Sequence, residues 1–408
     1  MKISRREFMT TSAGAASALM VGTAGGAAPS THPRPQRPAA VPPAFDPWLE
    51  IDGSALRHNV AAVASAVGGR PIIAVVKNNA YGLAIATAGP ILDLLPEISG
   101  FAVVRPGEAI ALREAGVKKP ILLMGPASDD EAVELARRGV RLSAFTDQAT
   151  EQLARVARRL TRSVPVQVYL DTGMNRMGLP VGRALPWIER LAALKEVRIE
   201  GAFTELTEDS EFDVQQVARL RAIADQAAGR GIDLGVLHAA SSDAIQKGLT
   251  ETFLAAVRPG FALYGGYTTD EAMARGGLIP VYRLKARVAR VELLQPGDGV
   301  SYHRRWIAKA PTWVALLPIG HVDGYPSRAV EGCEVLIRGR LCRVIGTVSA
   351  SHTIVELGAE RAAEIGDDAI LVGPDHPVLH PNTIAKRANW SEYDMFMHLN
   401  PGLRRIVI

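Results

Sequence analysis

Pro71-Ile72-Ile73-Ala74-Val75-Val76-Lys77-Asn78-Asn79-Ala80-Tyr81-Gly82 reads as a buried strand that ends on an amine. The apolar run is rich in β-branched residues, and Pro71 on one side and the Asn-Asn and Gly turn signals on the other bound it. Seven further β-rich runs follow, at 101–104, 121–124, 142–145, 166–170, 199–204, 236–238 and 253–257. Longer Ala/Leu/Arg-rich segments separate them. In 130–138, Ala132, Val133, Leu135 and Ala136 fall on one helical face; in 150–160, Leu153, Val156, Ala157 and Leu160 do. Eight alternations predict a (β/α)8 TIM barrel. The competing doubly wound sheet lacks its sign, since no Gly-x-Gly-x-x-Gly turn follows the first strand. Barrel active sites are built at the carboxyl ends of the strands, so Lys77 stands where chemistry is done.

From about residue 278 the pattern changes. Period-two stretches at 283–294, 312–317, 334–345 and 353–357 are separated by turn signals such as Pro296-Gly297-Asp298-Gly299. The expected fold class is therefore α/β, a TIM barrel followed by a mostly β C-terminal domain. A chain of 408 residues is long enough for two cores. The boundaries read as 48–277 for the barrel and 278–408 for the β domain.

The N-terminus, Met1-Lys2-Ile3-Ser4-Arg5-Arg6-Glu7-Phe8-Met9 and a weakly apolar Ala/Gly-rich stretch to about Ala28, resembles a twin-arginine export signal. No basic stop follows, so cleavage and a soluble periplasmic product are expected, with no membrane association afterwards. Residues 29–47, with seven prolines, read as an extended linker. The formal net charge of +4 and the absence of a basic run interleaved with aromatics exclude a nucleic-acid partner. Cys333 and Cys342 flank a predicted hairpin turn at Arg338-Gly339 in a diagonal register, roughly 7–8 Å apart. That is too far for a disulfide, and two buried thiols are expected.

Four more words follow the lysine segment in order: Asp171-Thr172-Gly173-Met174-Asn175-Arg176-Met177-Gly178, His238-Ala239-Ala240-Ser241-Ser242, Arg258-Pro259-Gly260-Phe261-Ala262-Leu263-Tyr264-Gly265 and Val300-Ser301-Tyr302. With the lysine word they resemble the alanine racemase family over about Trp48 to Arg405. The resemblance implies pyridoxal 5'-phosphate carried on Lys77. It implies a phosphate held by Tyr81, Ser242 and the backbone N–H groups of Gly260 and Phe261, with His321 at the place of a phosphate-bonding tyrosine. Arg258 would face the pyridine nitrogen as an always-protonated guanidinium, so the nitrogen would remain unprotonated. Lys77 and Tyr302 would be the two acid/base groups, Tyr302 coming from the partner of a homodimer with composite sites. Arg176 would reach the substrate carboxylate.

The chain departs from the family pattern around these residues. Tyr169 replaces a lysine that often orients the substrate-binding arginine, and Glu205 replaces a histidine of the network that includes His238 and Arg258. Ala350-Ser351 replaces Met-Asp at the pocket edge, which removes bulk and a carboxylate. The reading that follows is a racemase acting on alanine and on larger amino acids. A D-amino-acid lyase or aldolase of the same barrel class and a non-catalytic cofactor-binding relative are the alternatives.

Overall fold

The computed structural model describes residues 44–408; the segment expected to be an export signal and most of the proline-rich stretch lie outside the described residues. Seven parallel strands curl round in chain order: Ile72–Val75, Ile98–Val103, Ile121–Leu123, Val140–Ala144, Val164–Asp171, Val197–Phe203 and Val236–His238. The eighth member is narrower than the sequence suggests. Only Ala256 and Val257 pair, with His238 on one side and Ile72 on the other. Backbone bonds from Ala255 to Leu237, from Val257 to Pro71 and from Arg258 to Ala240 nevertheless close the ring. Pro259 has no N–H to extend the ladder, and the chain turns there into Phe261–Tyr264.

The connecting helices bury the faces their periodicity indicates. Asp129–Arg137 buries Ala132, Val133, Leu135 and Ala136. A capping box starts it, with Ser128 Oγ accepting from Glu131 N and Glu131 Oε2 accepting from Ser128 N. Ala149–Leu160 buries Leu153, Val156 and Ala157, while Leu160 is only partly covered.

The second layer is a nine-stranded, mostly antiparallel sheet. The run 283–294 is two strands there, Tyr282–Arg287 and Arg290–Leu294, with different partners. Trp48–Ile51, which the sequence places with the barrel, belongs to this sheet: it lies antiparallel to Tyr282–Arg287 and parallel to Arg404–Val407. The hairpin Glu334–Ile337 to Arg340–Ile345 turns on Arg338 and Gly339, at φ 50° and 78°. That two-residue turn pairs Val335 with Cys342 and leaves Cys333 two residues along the strand from Val335; both cysteines are buried and free.

Candidate active site

Lys77 leaves its strand into a backbone that L-residues rarely adopt. Asn78, Asn79, Ala80 and Tyr81 all have φ between 52° and 56°, a left-handed helical turn. Asparagine tolerates this region, and Gly82 ends the turn at φ 80°. Ala80 N donates to Val76 O at 2.9 Å and Gly82 N to Asn78 O at 3.0 Å. Outside partners fix it as well. Asn79 Oδ1 accepts from Ile85 N, and the buried carboxylate of Glu108 accepts from the N–H groups of Asn78, Val104 and Arg105. The amine is therefore presented from a stiff corner.

It opens into a cavity of 380 Å³ at the carboxyl end of the barrel, also lined by Tyr81, Arg176, Glu205, Ser242, Arg258, Gly260 and Phe261. That volume suits a small organic ligand. One end is built for an anion. Ser242 Oγ accepts from Gly260 N at 3.0 Å and Ala262 N at 3.1 Å, so its own proton is left to donate. The Gly260 N–H, which the sequence reading gives to a phosphate, is thus turned onto Ser242. Beside it Ser241 Oγ is buried without a protein partner. A side chain at Gly260 would meet Tyr81 Oη at 2.4 Å, so only glycine fits against that hydroxyl.

Arg258 is 4% exposed and held on several sides. Its Nη1 donates to His238 Nδ1 at 2.7 Å and His238 O at 2.9 Å, and its Nη2 to Thr204 O at 2.6 Å. Glu205 Oε2 lies 3.4 Å away, and the Phe203 ring supports the guanidinium at 5.1 Å. His238 must therefore be unprotonated at Nδ1, with Nε2–H donating to Gln167 Oε1 at 2.6 Å. Burial first, and then the Arg258 charge, hold its pKa well below the ordinary range for histidine. Tyr169 stacks on Phe203 at 4.3 Å. Burial, and after it Glu205, push its hydroxyl up to about 12, so it stays neutral.

Three cavity residues escape the sequence reading. Tyr393 stacks on Phe261 at 4.2 Å, and Arg105 and Glu208 add charged groups to the lining. Tyr393 lies in a C-terminal stretch without strand or helix periodicity, so nothing local marks it. Glu108 left a better sign, since a glutamate two residues after Pro106 is a helix-start pattern. Tyr302, His321, Ala350 and Ser351 do not line this cavity. His321 lines a separate hollow with Tyr325 and Arg328, apart from the Ser242–Gly260 cradle of its own chain. These four gather at one margin of the β domain. His321 N donates to Ser349 O, Val322 N to Ala350 O and Ser301 Oγ to Thr347 O. Tyr302 is 71% exposed there, on a backbone with Ser301, His303 and Arg304 all at positive φ.

Two family signatures match the chain, the alanine racemase N-terminal domain over residues 51–268 and the alanine racemase C-terminal domain over 281–407. The alanine racemase of Desulforamulus reducens is 33% identical over 336 residues, 80% of this chain and 90% of the relative. That of Desulfovibrio desulfuricans is 32% identical over 368 residues, 88% and 98% of the two chains. Among solved structures, the alanine racemase of Clostridium difficile 630 superposes with a TM-score of 0.82 at 25% identity, covering 90% of this chain and 96% of that one. The Streptomyces coelicolor alanine racemase gives 0.81 at 28% identity, covering 89% and 98%.

Proposed function

Because the chain belongs to the alanine racemase family, we propose that it interconverts the L and D forms of amino acids, alanine among them, with pyridoxal 5'-phosphate in the 380 Å³ cavity. The observation that carries the reading is the convergence of the Lys77 amine, the buried Arg258 guanidinium and the Ser241–Ser242–Gly260–Tyr81 anion cradle in one cavity. The cradle fits a phosphate: one hydroxyl has both acceptor positions filled and another has no protein partner. Tyr81 and Tyr393 supply further hydroxyls at the cavity wall. Bound there, the cofactor supplies the electron sink that makes an amino acid's α-proton removable.

The chain's own groups do the rest. Lys77 anchors the cofactor and, when released, moves a proton at one face of the α-carbon. Arg258 would donate to the ring nitrogen. Burial lowers its pKa, but Glu205 and Tyr169 oppose that shift and a guanidinium stays protonated near neutrality. Arg176, half exposed at the mouth, receives the substrate carboxylate. Tyr302 is the second base, and it comes from a second copy. Support for that is its absence from its own cavity and its clustering with His321, Ala350 and Ser351 on one exposed margin, which would face the partner's cavity in a two-fold dimer. The Arg5-Arg6 leader supports a periplasmic location for the mature enzyme, from which D-amino acids would be released toward the cell wall.

The test is chiral chromatography of L-alanine incubated with the cofactor-loaded protein. D-alanine should form, and should not form with Lys77→Ala. If none of the common amino acids is racemised by the loaded parent protein, the reading fails.

A further inference from the structure

Glu205 holds two arginines at once. Its Oε2 lies 3.4 Å from Arg258 Nη2 and its Oε1 3.8 Å from Arg176 Nη2. The two guanidinium groups differ in freedom. Arg258 is buried and fixed by His238 and Thr204. Arg176 stands on the loop after Val164–Asp171 with 56% of its side chain exposed, and Glu205 is the one carboxylate within ion-pair distance of it among the described residues. The carboxylate itself sits just past the end of Val197–Phe203, so both its backbone and one of its oxygens are tied to rigid parts of the barrel. A negative charge tied to the barrel thus faces an exposed positive one.

Tyr169 lines the same cavity as Arg176, and its hydroxyl is neutral. It can offer a hydrogen bond and no charge. The Glu205–Arg176 distance matters too. At 3.8 Å the contact is electrostatic and not a made hydrogen bond, so it draws the guanidinium toward the cavity without consuming its fork of donors. Two N–H groups stay available for a planar bidentate partner, the geometry a carboxylate fills.

We propose that Glu205 is a positioning residue that holds Arg176 over the cavity to receive the substrate carboxylate. The inference rests on the reading that Arg176 binds that carboxylate. It makes Glu205 part of substrate binding as well as a neighbour of Arg258. The contact is partly exposed, so its loss should weaken binding by about threefold to fivefold.

The test uses the cofactor-loaded enzyme. In Glu205→Gln, KM for L-alanine should rise about threefold to fivefold. Calorimetric affinity for propionate, a carboxylate with no α-amine to react, should fall by the same factor. Glu205→Asp, which keeps the charge, should recover most of both. In an Arg176→Gln background the Glu205→Gln change should have no further effect on KM. The inference is overturned if Glu205→Gln binds propionate as tightly as the parent or more tightly, since the carboxylate would then be idle or a competitor. It is equally overturned if the KM effect persists undiminished in the Arg176→Gln background, which would route it through Arg258. Racemisation of alanine by the parent is measured first. Its absence would defeat the functional reading, whereas its presence with an unmoved KM defeats only this inference.

Discussion

At the scale of single residues, Lys77 and Tyr302 divide the labour differently, and substitutions should separate them. Lys77→Ala should lose both the visible absorbance of the bound cofactor and racemisation in both directions, because no other lysine among the described residues lines the cavity. Tyr302→Phe should keep the absorbance and slow proton transfer at one face by roughly 10²–10⁴, the usual worth of a placed acid/base group; unchanged rates in both directions would remove Tyr302 from the mechanism. Substrate range belongs to this scale as well. Ala350 and Ser351 are small and exposed beside His321, so amino acids larger than alanine should be turned over. The double change Ala350→Met with Ser351→Asp should narrow the kcat/KM profile toward alanine, each excluded methylene being worth about 1–3 kcal/mol. A profile that does not move would show that this pair does not edge the pocket. Lys77, Ser242, Gly260 and Arg258 were legible because each sits in a short contiguous word at a strand end. Tyr393 was not, since a lone aromatic acquires its role only when the C-terminal segment packs against Phe261.

Among the elements, the left-handed turn after Lys77 is the one whose sequence and geometry are most tightly matched. Asn79→Ala should cost about 1–3 kcal/mol in denaturant titration, combining an unfavourable positive φ with a lost acceptor for Ile85 N. Gly82→Ala should be worse, because its Cβ would meet Phe396 O at 2.2 Å. The helix Pro381–Ala388 carries a pH dependence. His380 Nδ1 accepts from Asn382 N, which requires the nitrogen to be unprotonated, and burial lowers its pKa from 6.5 to about 4. A histidine depressed in the fold binds a proton more readily when unfolded, so its contribution is full above 6.5 and is lost as the pH falls toward 4. His380→Asn, which keeps a capping oxygen without titrating, should show a shallower loss of stability over that interval. An equal slope would assign the effect to other groups. The sequence marked eight barrel runs, seven of which are full strands, and the hairpin turn at Arg338-Gly339, because β-branched runs and turn residues are local signals. It did not reveal that Trp48–Ile51 lies between Tyr282–Arg287 and Arg404–Val407, because the partners of a strand are chosen by packing across the whole chain.

For the whole molecule, the barrel presents Lys77 inside a cavity while the β domain presents Tyr302 on an exposed margin of the same chain. On the proposed reading each copy carries half of two sites, which requires an obligate two-fold dimer. The most direct measurement is subunit complementation. Lys77→Ala and Tyr302→Phe proteins, each impaired alone, are mixed, allowed to exchange subunits with exchange verified by mass, and assayed for D-alanine from L-alanine. Random pairing makes half the dimers mixed, and each mixed dimer has one site with both bases intact, so activity should recover to about a quarter of the parent's. Verified exchange with no recovery above the separate variants would contradict a site shared between two copies with Lys77 and Tyr302 as its bases.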